Sequence, residues 1–350
     1  MKILPILILV STLTSNVSAQ DGGSGVYSFL DIPASARLAA LGGTLITVKD
    51  NDINTALQAP SLLNPSMNAS LSLSGVSYVD GIKFGDAGYV KDFGKYGTYM
   101  ASMHYAAYGQ FLETDDFGNI TGSFRASDYA LSVGGGYAYN RSFSFGATLK
   151  TIYSDYYLYN AFGLAMDFSA TYSDTIHNLV VSLVFRNAGV QLKNYIKNNS
   201  EPLQTEALAG ISKKLTHTPL RFSLTYRHLE KFDLSYFDPY NLGDVDPLTG
   251  EQQIKKISFF NKLSRHLIIG TEILLSKNFH LRGAYNFQRR KELGLDTRGG
   301  AVGFSMGVGL KISKFIISYG RGNYHLAGGA NHFSISTNLA EFSHKEKAKE

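Results

Sequence analysis

Between Ala301 and Tyr319 the chain alternates with a period of two. Val302, Phe304, Met306, Val308, Leu310 and Ile312 interleave with Gly303, Ser305, Gly307, Gly309, Lys311 and Ser313, and Phe315, Ile317 and Tyr319 resume the pattern. Successive side chains of a strand point to opposite faces, so the stretch predicts a hairpin with one apolar face and one small or polar face. Beyond Ala69 the same alternation recurs with turn residues between the runs. It predicts strands near Ala69–Tyr78, Ile82–Lys91, Tyr96–Ala107, Phe124–Tyr139, Ser142–Ser154, Phe162–Tyr172, Asn178–Asn187, Gln204–Lys213, Leu220–His228, Ser264–Leu275, Phe279–Gln288, Ala301–Ile312, Phe315–Gly322 and His332–Leu339.

Many of these runs approach the roughly ten residues that a tilted membrane-spanning strand needs. Charges obey the alternation. Lys150 lies off the face of Phe143, Phe145, Ala147 and Leu149, and Arg186 lies off the face of Leu179, Val181, Leu183 and Phe185. A lysine or arginine facing mid-bilayer lipid costs about 2 to 4 kcal/mol, whereas one facing a wet lumen need not. The fold class is therefore all-β: a transmembrane antiparallel barrel of about 14 strands with a polar interior.

The connections alternate in length. Asp92–Lys95, Asn140–Arg141, Ser173–His177, Leu215–Pro219, Ser276–Asn278 and Ser313–Lys314 are short; Tyr108–Ser123, Ala188–Leu203, Leu229–Leu263, Arg289–Gly300 and Asn323–Asn331 are longer. Only Val79–Gly81 and Asp155–Ala161 are short for the other side. Outer-membrane barrels have short periplasmic turns and long outer loops, so the order predicts an even strand number with both termini in the periplasm. Tyr153, Tyr156, Tyr157 and Tyr159 are expected in the outer aromatic girdle. Gly134, Gly136, Gly303, Gly307 and Gly309 are expected to face the lumen and leave room inside.

The first twenty residues read as a signal peptide. Lys2 is the basic end, Ile3–Val10 the apolar core, and Val17-Ser18-Ala19 the cleavage site. Residues 21–68 differ from the strands. Ser35–Leu41 reads as a short helix ended by Gly42-Gly43, Thr44–Val48 as a strand, and Asn54–Leu63 as helix-prone around Pro60. Too short to fold alone, this segment is expected as an N-terminal plug in the lumen of a barrel spanning 69–340, with residues 341–350 a charged tail.

Composition narrows the function. The sequence has no cysteine, so it excludes disulfides and thiolate chemistry; no later run reaches the length of a membrane helix. The net charge of +5 comes without a basic stripe interleaved with aromatics, which argues against nucleic acid. Gly303-Phe304-Ser305-Met306-Gly307 has the spacing of a serine nucleophile motif but lies within a strand, and Gly134-Gly135-Gly136 lacks a dinucleotide loop's spacing. The histidines lack metal-ligand spacing, and Asp233, Asp238, Asp244 and Asp246 lack that of a calcium loop. The reading is non-catalytic, with no cofactor and no metal.

The loop Leu229–Leu263 is the functional lead, because loops this long in a compact domain are functional or disordered. Its Phe232, Tyr236, Phe237, Tyr240, Phe259 and Phe260 are candidate anchors for a protein partner. Lys193, Lys197, Arg289, Arg290, Lys291 and Arg298, in or beside outer loops, are candidates for contact with lipopolysaccharide phosphates.

Val26-Tyr27-Ser28-Phe29-Leu30-Asp31-Ile32-Pro33-Ala34-Ser35-Ala36-Arg37-Leu38-Ala39-Ala40-Leu41-Gly42-Gly43, with Ala56-Leu57-Gln58 and Pro60-Ser61-Leu62-Leu63 after it, resembles the start of the PorQ family of the type IX secretion system. It is similar, more distantly, to PorV and the fatty-acid transporter barrels. One departure is Ala59-Pro60, where the family usually has Asn-Pro. The resemblance implies a plugged outer-membrane barrel of a Gram-negative bacterium. It implies a non-catalytic anchor for a PorZ-like surface protein, with PorU- and PorV-like proteins in the same complex, that helps attach secreted proteins to anionic lipopolysaccharide. The alternative is a transporter for fatty acids or other hydrophobic small molecules.

Overall fold

The computed structural model describes residues 25–78, 81–235, 257–293, 301–325 and 328–343. Fourteen antiparallel strands close into one barrel in chain order, with β1 sealed against β14. They are β1 (Ser70–Ser77), β2 (Lys83–Asp92), β3 (Thr98–Thr114), β4 (Ile120–Ala138), β5 (Phe143–Tyr156), β6 (Tyr159–Asp174), β7 (Leu179–Lys193), β8 (Glu206–Lys214), β9 (Leu220–Tyr226), β10 (Leu267–Ile273), β11 (Phe279–Asn286), β12 (Phe304–Ile312), β13 (Phe315–His325) and β14 (Gly328–Asn338). Closure leaves no sheet edge, which is what lets strands cross a bilayer with every backbone group paired. Among the described residues no helix is long and apolar enough to cross a membrane.

Alternation sorts the two surfaces. Leu131, Val133, Phe145, Leu183, Met306 and Phe333 are exposed on the outer wall, while Ser72, Thr148, Ser169, Thr171, Thr225 and Ser334 are buried against the lumen. The outer wall is thus a greasy band suited to lipid. Tyr105, Tyr129 and Tyr153 lie in register across β3, β4 and β5 on that surface, their rings tilted and their centroids 4.9 and 6.4 Å apart.

We call the end holding the start of β1 and the close of β14 the near rim and the opposite end the far rim. Near-rim turns are short. The three longest connections, 194–205, 227–266 and 287–303, all lie at the far rim. The expected loop Tyr108–Ser123 is instead mostly strand: β3 and β4 run past a bulge at Ala107/Gln110 and turn only at Asp115–Asn119, where Asp115 accepts from the Phe117 and Asn119 amides. β7 likewise continues to Lys193, which therefore sits on a strand. Two helices lie largely in stretches expected as loop: α3 (Phe259–Ser264) and α4 (Phe287–Leu293), numbered after two in the plug; of their residues, Ser264, Phe287 and Gln288 fall at expected strand ends.

Residues 26–69 run inside the barrel from the far rim to the near rim. Val26 meets the far-rim connection, its amide donating to Pro202 O at 3.1 Å; Ala69 meets the near rim, its amide donating to Val90 O at 2.9 Å. Helix α1 (Ala36–Ala40) begins where Ser35 Oγ accepts the Leu38 amide at 3.3 Å. It ends where Gly42 and Gly43, at φ 85° and 98°, turn the chain so that Gly43 N donates to Leu38 O at 2.8 Å. Helix α2 (Ile53–Ala56) is capped by Asp52, and Pro60–Leu62 and Pro65–Met67 are single 3₁₀ turns. Thr44–Val48, expected as a strand, is irregular, bent at Thr47 and unpaired, because a closed barrel offers no free edge. Its polar groups are met by side chains: Leu45 N donates to Gln58 Oε1 at 2.9 Å, and Thr47 O accepts from Ser212 Oγ at 2.6 Å.

The plug buries Leu38, Leu41 and Leu45 against one another, Ile53, Leu63 and Met67 against Val90 and Met100 of the wall, and Ile46 and Leu62 against Val184 and Leu208. Each such side chain contributes about 1.5 to 3 kcal/mol. Wall glycines let it approach. A Cβ on Gly320 would lie 2.1 Å from Ala36 O, and one on Gly146 would lie 2.3 Å from Pro60 C. Gly303, expected on the lumen face of a strand, instead makes the turn before β12 at φ 88°.

Candidate functional site

Ionisable side chains at inward positions meet the plug at two levels. Near the near rim, Glu272 of β10 is flanked in register by Arg221 of β9 and Arg282 of β11. It accepts from Arg37 of α1 at 3.0 Å on each oxygen, from Arg221 at 2.7 Å and from Arg282 at 3.1 Å. Arg37 also reaches Asp50 at 2.9 Å and Asp52 at 3.0 Å within the plug. Three arginines face three carboxylates, so the cluster is neutral, which is the condition for burying so many charges. Burial alone would lower the pKa of Arg37, but the carboxylates of Asp50, Glu272 and Asp52 raise it well above its ordinary value.

The second level sits toward the far rim. Arg186 of β7 and Glu206 of β8 face each other in register, and Arg227 donates to Glu206 at 2.7 Å. Asp31 of the plug accepts from Arg186 at 2.5 Å and Arg227 at 2.9 Å. His228 joins Glu206 to Glu230. Arg221 and Arg227 lie six residues apart along one strand run, so the two levels are separated by about 20 Å of barrel. The plug is pinned at both ends.

Between the levels, Asp86 and His104 pair across β2 and β3, with His104 also against Phe29 O at 3.0 Å, and Lys150 bridges Asp167 at 2.7 Å and Asn187 at 2.8 Å. Asp86, His104, Lys150 and Asp167 line a chamber of about 70 Å³ with mixed polar and apolar walls, bordered by Ile32, Leu57 and Gln58 of the plug. Asp86 Oδ2 and Thr148 Oγ1, both buried in its wall, have no protein partner. Its size, and these two atoms, suit a few water molecules.

Above the chamber the inner wall changes character. Val76, Phe84, Ala106, Ala130, Ile152, Ala161, Ala165 and Ala330 turn inward, and Val26, Tyr27 and Phe29 fill the space they enclose. The result is a vestibule of mostly small apolar residues at the far rim, occupied by the first residues of the plug.

The predicted anchors are partly assembled. Phe232 and Phe259 meet at 5.4 Å between centroids and Phe259 and Phe260 at 5.8 Å, and His266, buried, donates from a ring nitrogen to Phe232 O at 2.9 Å. All three phenylalanines are exposed at the far rim. Tyr236, Phe237, Tyr240 and Arg298 lie outside the described residues. The basic candidates form no single patch: Lys193 bonds Asn160, Lys197 is exposed on the next connection, and Arg290 and Lys291 lie on α4. Arg289 turns inward, its guanidinium occupying the place a Cβ on Gly43 would take. Tyr156, expected in the girdle, also points inward, where its hydroxyl finds Asp128 at 2.8 Å. Tyr153 is on the outer wall, whereas Tyr157 and Tyr159 are exposed at the far-rim turn, Tyr159 opposite Tyr156 on the inward parity.

Sequence reasoning missed Arg37, Glu272, Arg282, Asp31, Glu206 and Asp128. For the wall residues the signal is an ionisable residue at the inward parity of a strand run, as Glu272 is in Ile268-Ile269-Gly270-Thr271-Glu272-Ile273; Asp31 and Arg37 of the plug carry no such signal.

No protein-family model matches the sequence, and no curated protein matches it significantly. In fold the chain is similar to the toluene transporter TbuX of Ralstonia pickettii, at 12% identity over 88% of this chain and 99% of that one, with a TM-score of 0.53. It is similar also to the toluene transporter TodX of Pseudomonas putida, at 12% identity over 87% and 96%, with a TM-score of 0.51. At this identity the likeness is one of fold.

Proposed function

We propose that the chain is a plugged outer-membrane barrel that passes small hydrophobic molecules, which enter through the apolar vestibule at the far rim when residues 26–32 withdraw. The observation that carries this reading is the inward-facing wall of Val76, Phe84, Ala106, Ala130, Ile152, Ala161 and Ala165. A barrel interior built only to be wet would have no use for it, since lumen faces are ordinarily polar. The fold shared with two toluene transporters supports the same reading. Uptake of a radiolabelled long-chain fatty acid and of toluene, compared in cells with and without the gene, tests it. Uptake of at least one should fall on deletion and return on complementation; equal uptake of both refutes the reading.

A second reading is favoured by the exposed Phe232, Phe259 and Phe260 cluster and by the N-terminal resemblance: a non-catalytic anchor for a PorZ-like protein of a type IX attachment complex. Tyr and Phe side chains grouped on a rim are the usual anchors of a protein interface. Replacing Phe259 and Phe260 by Ser should release that protein into the medium while uptake is unchanged. Its retention at the cell surface would remove the aromatic rim from this role.

A further inference from the structure

Every buried carboxylate of the wall described so far has a basic side chain beside it: Glu206 has Arg186, Asp86 has His104, Asp167 has Lys150 and Glu272 has Arg37. Asp128 of β4 does not. It is 1% exposed, sits in register between Ala106 of β3 and Ser154 of β5, and forms no ion pair with any described residue. Its Oδ2 accepts from Tyr108 Oη at 2.5 Å and Tyr156 Oη at 2.8 Å. Its Oδ1 has no hydrogen-bond partner, and neither has the adjacent, fully buried Ser154 Oγ. A buried carboxylate with two neutral donors on one oxygen and none on the other is undercompensated.

What surrounds it is aromatic. Tyr156 and Tyr195 stack at 5.2 Å and 5° between planes, Tyr108 meets Tyr156 edge-on at 5.9 Å, and Tyr27 completes the group at 6.5 Å from Tyr195. Tyr27 is held there at some cost: its φ is 61°, a region a bulky residue rarely adopts. Its ring lies where Gly163 leaves room, since a Cβ on Gly163 would come within 2.7 Å of it. Tyr108, Tyr156 and Tyr195 are only half-buried, so the group opens toward the far rim.

We propose that these four tyrosines and Asp128 form a binding site for a small organic cation, an alkylammonium whose charge meets Asp128 and whose methyl or methylene groups lie on tyrosine faces. Ring quadrupoles attract a cation over their faces, and a desolvated carboxylate supplies the opposite charge; a neutral molecule of the same shape gains neither. The site adjoins the vestibule and shares Tyr27 with the segment that fills it, but cation binding to the resting barrel is read separately from uptake.

Calorimetric titration of the detergent-solubilised full chain with choline, and with its neutral isostere 3,3-dimethylbutan-1-ol, tests the assignment. Choline should bind saturably and the isostere at least about tenfold more weakly. Asp128→Asn, which keeps the acceptor for Tyr108 and Tyr156, and Tyr195→Ala should each weaken choline binding about tenfold or more while the barrel stays heat-modifiable on a gel. The wild-type comparison of the two ligands decides the matter even if a variant fails to fold. No choline binding, equal binding of choline and isostere, or unchanged binding by a folded Asp128→Asn barrel would overturn the proposal.

Discussion

Arg37 and Glu272 are joined by two parallel bonds, Nε to Oε1 and Nη2 to Oε2, each 3.0 Å long, across 235 residues of sequence. This fork fixes the orientation of α1 as well as its distance from the wall. Arg37→Ala would leave Glu272 with Arg221 and Arg282 but strip Asp50 and Asp52 of their main partner, at a cost of about 3 to 5 kcal/mol to plug docking. Limited proteolysis in detergent should then cut residues 26–68 at least tenfold faster while the barrel remains resistant.

Gly320 carries the plug by having no side chain. Gly320→Val would drive Cβ into Ala36 O, and overpacking of this kind costs about 1 to 3 kcal/mol. The thermal midpoint should fall, and protease should reach α1. Gly75→Ala, at a site where a Cβ meets nothing within 4 Å, is the matched control and should leave both unchanged.

The far-rim latch responds to acid. Burial pushes the carboxyl of Asp31 up, but Arg227 and Arg186 outweigh it and hold the group below its ordinary value. A carboxylate depressed in the folded state contributes stability above its unfolded pKa, near 4, and loses it as pH falls through the lower folded value. Protease cleavage within residues 26–32 should therefore rise as pH drops below about 4, with little change between pH 5 and 7. Asp31→Asn should flatten the profile by making cleavage rapid at all pH values.

Phe29 is the stopper of the vestibule, 2% exposed and stacked on His104 at 5.3 Å. Phe29→Ala removes about 3 to 5 kcal/mol of packing. Uptake of labelled fatty acid or toluene should rise severalfold with outer-membrane levels of the protein unchanged, whereas a polar antibiotic should enter no faster.

All fourteen strands were legible in the sequence, because a barrel wall between lipid and water writes its period of two into every strand. What the pattern could not show was where a strand ends in solvent. The polar tips of β3 and β4 read as loop because their alternation fades beyond Ala107, where a bulge shifts the register. The plug was legible as a segment but not as a structure: Thr44–Val48 has strand composition and no partner, and only the closed barrel around it explains that. Helix α4 reads as a charged loop, since Gln288-Arg289-Arg290-Lys291 carries no apolar stripe. The ion clusters were least visible. Asp31, Arg186, Glu206 and Arg227 are spread over almost 200 positions, and each alone looks like a solvated charge.

Because Val26 is fastened at one mouth of the cylinder and Ala69 at the other, the first segment lies lengthwise through it. A wall sealed beforehand would have to swallow that segment end-on, past Arg221, Glu272, Arg282 and a series of tight glycine contacts. Closing the seam between β1 and β14 around the segment avoids that passage, and it makes this ladder the lock on the barrel's own contents.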